Sequence, residues 1–361
     1  MSRIAIVIGN LNTGGAQSVV CKLAENIDKR ENDIFIICCK AKSNTALESR
    51  VEKVASVTYL GFSEGFSISD FNIFNRFICR IKPDVIHAHL GGVQYAAVWS
   101  ILHHRQIVVT AHTTPEKAFT KRTEKLLRYV FKRGLAILVA VSEDNREKCK
   151  KYFQLDDNKC RFVNNGVDIH PATPYRRHNP FVFINVAAQD KNKNQMALLR
   201  CMEELKTKHP DIMLMLVGNG PEHESLIKYV EEKKDLSSVV VFTGEVNNPE
   251  VYYPQADVYV QSSHREAMPM SILEALSFGL PIISTDVGGI KDVVRGNGVL
   301  VEDGDLEGYY NAMNTVLTLP ENEFKLLRNR SFEIVASYSS TLMAKEYEKI
   351  YEQTYSKPIN K

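Results

Sequence analysis

Short apolar runs of strand length alternate with longer amphipathic stretches along nearly the whole chain. RIAIVIG (3–9), DIFIICC (33–39), DVIHAHL (84–90), IVVTAH (107–112) and AILVAVS (136–142) are rich in β-branched residues and apolar on both faces. That is the pattern of strands buried inside a parallel sheet, with helices covering it from the segments between. The first of those helices is expected from about Ala16 to Ile27. The series pauses over NNGVDIHPATPYRRHNP (164–180), where three prolines and a glycine replace the periodicity and mark a linker. It resumes with FVFINVAA (181–188), IMLMLVG (212–218), VVVFTG (239–244), VYVQS (258–262) and PIISTDVGG (281–289). SSTLMAKEYEKIYEQTY (339–355) has helical spacing and strong helix formers. There is no internal repeat and no low-complexity segment.

These elements predict an α/β chain of two Rossmann-like, doubly wound halves, residues 1–168 and 169–338, with a last helix over 339–361 crossing back to the first half. Two such halves would enclose a cleft, and ligands of such sheets bind at the carboxyl ends of the strands. A length of 361 residues suits two domains of roughly 170 residues each. Hydrophobic residues at 44% and charged residues at 24% fit a globular chain, and a net charge of +2 gives no ground for a nucleic-acid partner. Seven cysteines, scattered and without CxxC spacing, fit a reducing cytoplasm. The N-terminal apolar run is too short for a signal peptide, and no apolar run approaches 18 residues. Contact with a membrane surface stays open.

The densest chemistry lies in HREAMPMSILEALSFGLP (264–281), in the loop leaving VYVQS and the helix after it. Glu266 and Glu274 stand eight positions apart there. Ser271 to Glu274 spells the S-x-x-E capping box, which would place Glu274 on a backbone N–H, and Gly279 with Pro281 marks a helix stop. The same helix mouth can receive a phosphate on the N–H groups of Met270, Ser271 and Ile272. Carboxylates beside a phosphate repel it unless they face hydroxyls, and dense hydroxyls next to phosphate describe a nucleotide sugar. Capping and binding both remain open on these residues alone.

The run from Glu266 to Glu274, continued by EALSFGLPIISTDVGG, resembles the E-x7-E signature of retaining GT-B glycosyltransferases of family GT4. NTGGAQ (12–17), PDVIHAH (83–89), VVTAH (108–112), AVS (140–142), NNGVD (164–168), KNKNQ (191–195), LVGNGP (216–221) and FTGEV (242–246) follow in family order. The resemblance implies a GT-B fold with an interdomain cleft. The first half would bind the acceptor and the second the nucleotide sugar, with transfer of a hexosyl group to an acceptor hydroxyl with retention and without a metal or other cofactor. It implies Glu274 on the ribose hydroxyls, Glu266 by the donor sugar and Lys193 on the phosphates. Gly15 would approach the phosphates, His112 would lie against the donor sugar and assist the reaction, and backbone near Val246 would meet the base. Two departures stand out. Ala188 occupies the place of a family arginine, for which either Lys191 or the helix amides would have to stand in, and Ala267 replaces the usual glycine after the first glutamate.

Family frequency favours a UDP-sugar donor, with GDP-mannose next, and a bacterial role in capsule, O-antigen or exopolysaccharide assembly. Acceptors of many relatives are lipid-linked. KRTEKLLRYVFKRG (121–134) interleaves six basic residues with an apolar stripe, and such a helix either covers a core or lies on anionic lipid at the inner face of the plasma membrane. A UDP-sugar 2-epimerase of the same fold and a non-catalytic nucleotide-sugar-binding protein are the alternatives. Taken singly, Gly14-Gly15 is an ordinary strand-to-helix turn, and a lone histidine or loop lysine is more often structural or solvated. His87 and His89 alternate on one strand face and read as structural rather than metal-binding. GNG (218–220) does not complete a dinucleotide fingerprint, because His223 holds the last position. Asp303-Gly304-Asp305 spells D-x-D but sits in a polar turn.

Overall fold

Strands form where the apolar runs lie, and every ladder between them is parallel. The computed structural model describes residues 1–172, 174–233 and 235–355, the last of them by its backbone alone. The chain divides into two compact units, Met1–Gly166 with the segment from Ser340 onward, and Val167–Ser339.

The first unit carries β1 (Ser2–Ile8), β2 (Asn32–Cys38), β3 (Ser56–Tyr59), β4 (Val85–His89), β5 (Ile107–Ala111), β6 (Ala136–Ala140) and β7 (Cys160–Phe162). Its sheet runs β3-β2-β1-β4-β5-β6-β7. The second unit carries β8 (Phe181–Val186), β9 (Ile212–Val217), β10 (Val240–Gly244), β11 (Val258–Gln261), β12 (Ile282–Thr285) and β13 (Gly298–Val301), in the order β10-β9-β8-β11-β12-β13. Strand order reverses once in each sheet, between β1 and β4 and between β8 and β11.

The central strands β4, β5 and β6 are buried at every residue, as their unbroken apolar runs require. The three strands absent from the sequence pattern, β3, β7 and β13, are all sheet edges. SVTY, CRF and GVLV are three or four residues long and partly solvated, so they have no need of an apolar run.

The helices follow their stripes. Lys121–Lys132 buries Leu127, Val130 and Phe131, and the Thr120 hydroxyl accepts from the Thr123 N–H at its mouth. Lys121, Arg122, Lys125, Lys132 and Arg133 stay exposed, while Arg128 pairs with Glu124. The final helix, Ser340–Tyr355, buries Met343, Ala344, Tyr347, Ile350 and Tyr351 in the first unit. Among the described residues no helix is long and apolar enough to cross a membrane.

One buried carboxylate fastens the start of the second unit. Asp257, at 0% exposure before β11, accepts from the Val182 N–H at 2.7 Å and the His178 N–H at 3.0 Å, and also from the Tyr175 hydroxyl. Arg328 lies 3.9 Å over the Tyr175 ring, which stacks on Phe324. Asp257→Ala strands these donors at once, so we expect it to lower unfolding free energy by about 3 kcal/mol in a urea titration followed by circular dichroism. An unchanged midpoint would remove Asp257 from this role.

Candidate functional site

In the second unit the reversal between β8 and β11 brings two loops side by side. The loop after β8 turns on Asp190, whose Oδ1 accepts from the N–H groups of Asn192 (2.8 Å) and Lys193 (3.0 Å). It is tied to the loop after β11 by Ser262 Oγ donating to Asn194 O (2.8 Å), Asn192 Nδ2 to Arg265 O (3.0 Å) and His264 N to Asn192 O (2.8 Å). Lys193 Nζ then reaches Glu266 Oε1 at 2.6 Å, and Gln261 Nε2 donates to the same oxygen at 3.2 Å. The two charged side chains are 22% and 10% exposed, so the pair is largely withdrawn from water without being sealed. The loop after β12 closes the far side. Gly288 has φ +62°, and a Cβ there would lie 2.0 Å from Glu266 O, so only glycine fits this approach.

The helix Met270–Ser277 opens directly beyond Glu266. Its N-cap is Pro269 and no side chain caps it, so the capping box expected of Ser271 and Glu274 does not form. Pro269, with its fixed φ, sets the first turn so that Ser271 already lies inside the helix. Both side chains turn instead to tyrosines. The Tyr259 hydroxyl lies 2.8 Å from Ser271 Oγ, and the Tyr253 hydroxyl donates to Glu274 Oε2 at 2.9 Å. The N–H groups of Met270, Ser271 and Ile272 occupy the turn that has no intrahelical acceptors. Val246 sits in the loop after β10, partly buried. Ala188 is exposed, its carbonyl accepting from Gln195 Nε2, and Lys191 is exposed beside it.

In the first unit, at the reversal between β1 and β4, the loops again approach closely. A Cβ on Gly92 would lie 2.6 Å from Val7 O. A hollow of about 230 Å³ opens there, lined among others by Gly9, Lys40, Phe62, Glu64, Gln94 and Tyr95. Gly14 is the N-cap of the helix Gly15–Asn26, which thus begins at the glycine loop. His112 follows β5, half-buried, and shares a 2.8 Å hydrogen bond through Nε2 with His89 Nδ1. His87 has both nitrogens engaged at 2.7 Å, Nδ1 with the Tyr351 hydroxyl and Nε2 with Thr110 Oγ1. Burial holds the pKa of His112 down to about 4, and it keeps His87 and His89 well below the usual imidazole value, with neighbouring imidazoles adding to the effect. Among the described residues no three His, Cys, Asp or Glu side chains meet as a metal group.

Two family models match the chain one after the other, "Glycosyltransferase Family 4" over residues 13–170 and "Glycosyl transferases group 1" over 169–330. The chain belongs to the family 4 glycosyltransferases. A Campylobacter jejuni GalNAc-α-(1→4)-GalNAc-α-(1→3)-diNAcBac-PP-undecaprenol α-1,4-N-acetyl-D-galactosaminyltransferase is 25% identical over 97% of this chain and 98% of its own length. An Escherichia coli UDP-Gal:α-D-GlcNAc-diphosphoundecaprenol α-1,3-galactosyltransferase is 26% identical over 66% of this chain and 67% of its own. For three other relatives the match spans only 66%, 51% and 42% of the relative's length. Anabaena HepE, solved with UDP and glucose, shares the fold at a TM-score of 0.81 and 16% identity, covering 98% of this chain and all of its own. The two parallel sheets with their covering helices are thus the GT-B fold.

Within this glycosyltransferase, Lys193, Val246, Glu266, Met270, Ser271, Ile272 and Glu274 belong to the second unit, and Gly15 and His112 to the first. Lys193 and Glu266 are in direct contact, and Ser271 and Glu274 share a helix. Sequence reasoning passed over Gln261, Tyr253 and Tyr259, and read His89 only as structural; these residues hold the groups named above. Gln261 carried a signal, a polar side chain at the end of a buried strand. Asp303-Gly304-Asp305 is a turn, in which Asp303 accepts from His264 and Asp305 caps the helix Leu306–Thr318.

The histidine cluster sets a pH dependence. Unfolded, each imidazole takes up a proton near pH 6.5; folded, His112 does so only near 4. The unfolded chain therefore binds more protons across that interval, and stability falls as pH drops from 6.5 toward 4. The slope is up to about 1.4 kcal/mol per pH unit for each histidine. Trp99, the single tryptophan, lies in the first unit. Urea midpoints read by its fluorescence at pH 7, 6 and 5 should fall, less steeply in His112→Gln; equal midpoints would refute the effect.

Proposed function

We propose that this chain is a retaining hexosyltransferase that moves a sugar from a UDP-sugar to a hydroxyl of a saccharide acceptor in bacterial surface-polysaccharide assembly. The observation that carries the reading is the contact between Lys193 and Glu266 at the strand-order reversal, beside the mouth of the helix Met270–Ser277. Lys193 and the first-turn amides of Met270, Ser271 and Ile272 are the groups that would neutralise a departing diphosphate, which makes the reaction independent of a metal. Glu266 faces the sugar once the phosphates take Lys193, and Glu274, braced by Tyr253, takes the ribose hydroxyls. Val246 borders the base, while Gly15 and His112, in the first unit, are the residues that the family resemblance offers for the phosphates and the sugar. The UDP named with HepE and with the Escherichia coli relative favours a uridine donor. The undecaprenol-linked acceptors of the two bacterial relatives favour a lipid-linked saccharide. The hollow at Lys40, Phe62, Glu64 and Gln94 offers rings and polar groups for that saccharide.

In a thermal-shift screen of UDP-, GDP- and ADP-sugars we expect a UDP-sugar to raise Tm most. Lys193→Met and Glu274→Ala should each weaken its binding about 10- to 100-fold, corresponding to about 1.5–3 kcal/mol for a lost charge-assisted contact. Transfer to a diphosphate-linked saccharide supports the assignment. Epimer formation without an acceptor, or binding with no turnover on any acceptor, replaces it with one of the two alternatives.

The exposed Lys121, Arg122, Lys125, Lys132 and Arg133 favour a peripheral contact with the anionic inner face of the plasma membrane. We expect co-sedimentation with phosphatidylglycerol vesicles that falls as salt rises. Equal recovery with neutral vesicles counts against it.

A further inference from the structure

Between the imidazoles of His89 and His112 there is room for one proton, and the surroundings decide which ring carries it. We infer that His89 fixes His112 as its Nδ1–H tautomer, so that His112 meets its ligand as a hydrogen-bond donor and not as a base. The ligand being a donor sugar rests on the proposed function; the tautomer does not.

His89 ends β4 at 0% exposure. The groups facing it are the His87 ring at 4.0 Å and the His112 ring at 5.1 Å, with Thr110 and Tyr347 next in the cluster. None of these supplies a charge to hold an imidazolium, and burial keeps His89 neutral. A neutral ring has one N–H and one lone pair. Its Nδ1 lies 2.8 Å from His112 Nε2, while its Nε2 is buried and, among the described residues, has no hydrogen-bond partner. His87 cannot turn to serve that Nε2, because both its nitrogens are held, by Tyr351 and Thr110.

Two arrangements are possible. If His112 donated from Nε2, His89 would carry its own proton on Nε2, a buried N–H facing no acceptor. That costs the full desolvation penalty of a donor, and orphaned buried donors are rarer than under-used acceptors. If His89 donates from Nδ1, only a lone pair is left dry at its Nε2. The second arrangement wins, His112 Nε2 accepts, and the proton of His112 resides on Nδ1.

The same bond explains why His112 resists protonation. An imidazolium there would have to donate from Nε2, forcing His89 into the tautomer with the stranded N–H. Burial holds the pKa of His112 near 4, and the bond to His89 opposes protonation in the same direction. At neutral pH its Nδ1–H can hold a hydroxyl or a phosphate oxygen without adding charge, and it has no lone pair at Nδ1 to remove a proton. His89 is thus a positioning residue, acting through His112.

A long-range 1H–15N spectrum of the histidine-labelled full chain at pH 7 reads the tautomers directly, without any ligand. We expect both His89 and His112 as Nδ1–H. Finding His112 as Nε2–H overturns the proposal, and the wild-type spectrum suffices even where a variant does not fold. His89→Asn keeps an amide N–H where Nδ1–H stood and should preserve the His112 pattern; His89→Phe removes it and should release His112 toward Nε2–H. Sugar transfer should drop tenfold or more in His89→Phe and recover in His89→Asn. If the tautomers are as inferred but His112→Gln transfers sugar at the wild-type rate, the tautomer stands and the place given to His112 beside the sugar falls.

Discussion

A parallel sheet covered on both faces leaves charged side chains little room except beyond the carboxyl ends of its strands, and that constraint places the charged groups of both candidate sites. Where strand order reverses, the connections leave toward opposite faces and the loops part into a crevice. The second sheet reverses between β8 and β11, and there Lys193 from one loop meets Glu266 from the other. The first sheet reverses between β1 and β4, and there the glycine loop, Gly92 and the hollow at Lys40 are found. Each unit thus repeats one geometric solution with a different set of side chains.

What surrounds the Lys193–Glu266 pair is built to keep it in place before any ligand arrives. Asp190 shapes one loop, Ser262 and Asn192 lash it to the other, and Gly288 lets a third loop press on the backbone of Glu266. Gln261 gives Glu266 a second donor, so the carboxylate is fixed in direction as well as in charge. Tyr253 and Tyr259 do the same for Glu274 and Ser271 from beneath the helix. A site so braced needs little reorganisation at the moment of use, which is the condition under which fixed charges and dipoles act most strongly.

The central strands were legible because burial on both faces writes an unbroken apolar run, as in AILVA and VIHAH. The edge strands SVTY, CRF and GVLV were not, since solvent on one side relaxes that demand. In the site, Lys193 and Glu266 were picked out through the family resemblance, and they prove to touch. The S-x-x-E spacing misled because it is a local signal, whereas Pro269 had already set the first turn and the tyrosines reach in from β11 and from the segment before it. His89 looked like a strand residue with no special duty. Its partner lies 23 residues further on, and only the pairing of His89 with Thr110 across β4 and β5 brings His112 alongside.

The final helix has a consequence for how the chain comes into being. Tyr347 and Tyr351, which close the histidine cluster of the first unit, are made after the whole of Val167–Ser339. On a ribosome the second unit can therefore complete its core while the first still waits for its last element, reversing the usual N-terminal-first order of domain folding. Until Tyr351 emerges, His87 lacks the hydrogen-bond partner at its Nδ1. The earliest-made half of this chain is thus the last to be finished.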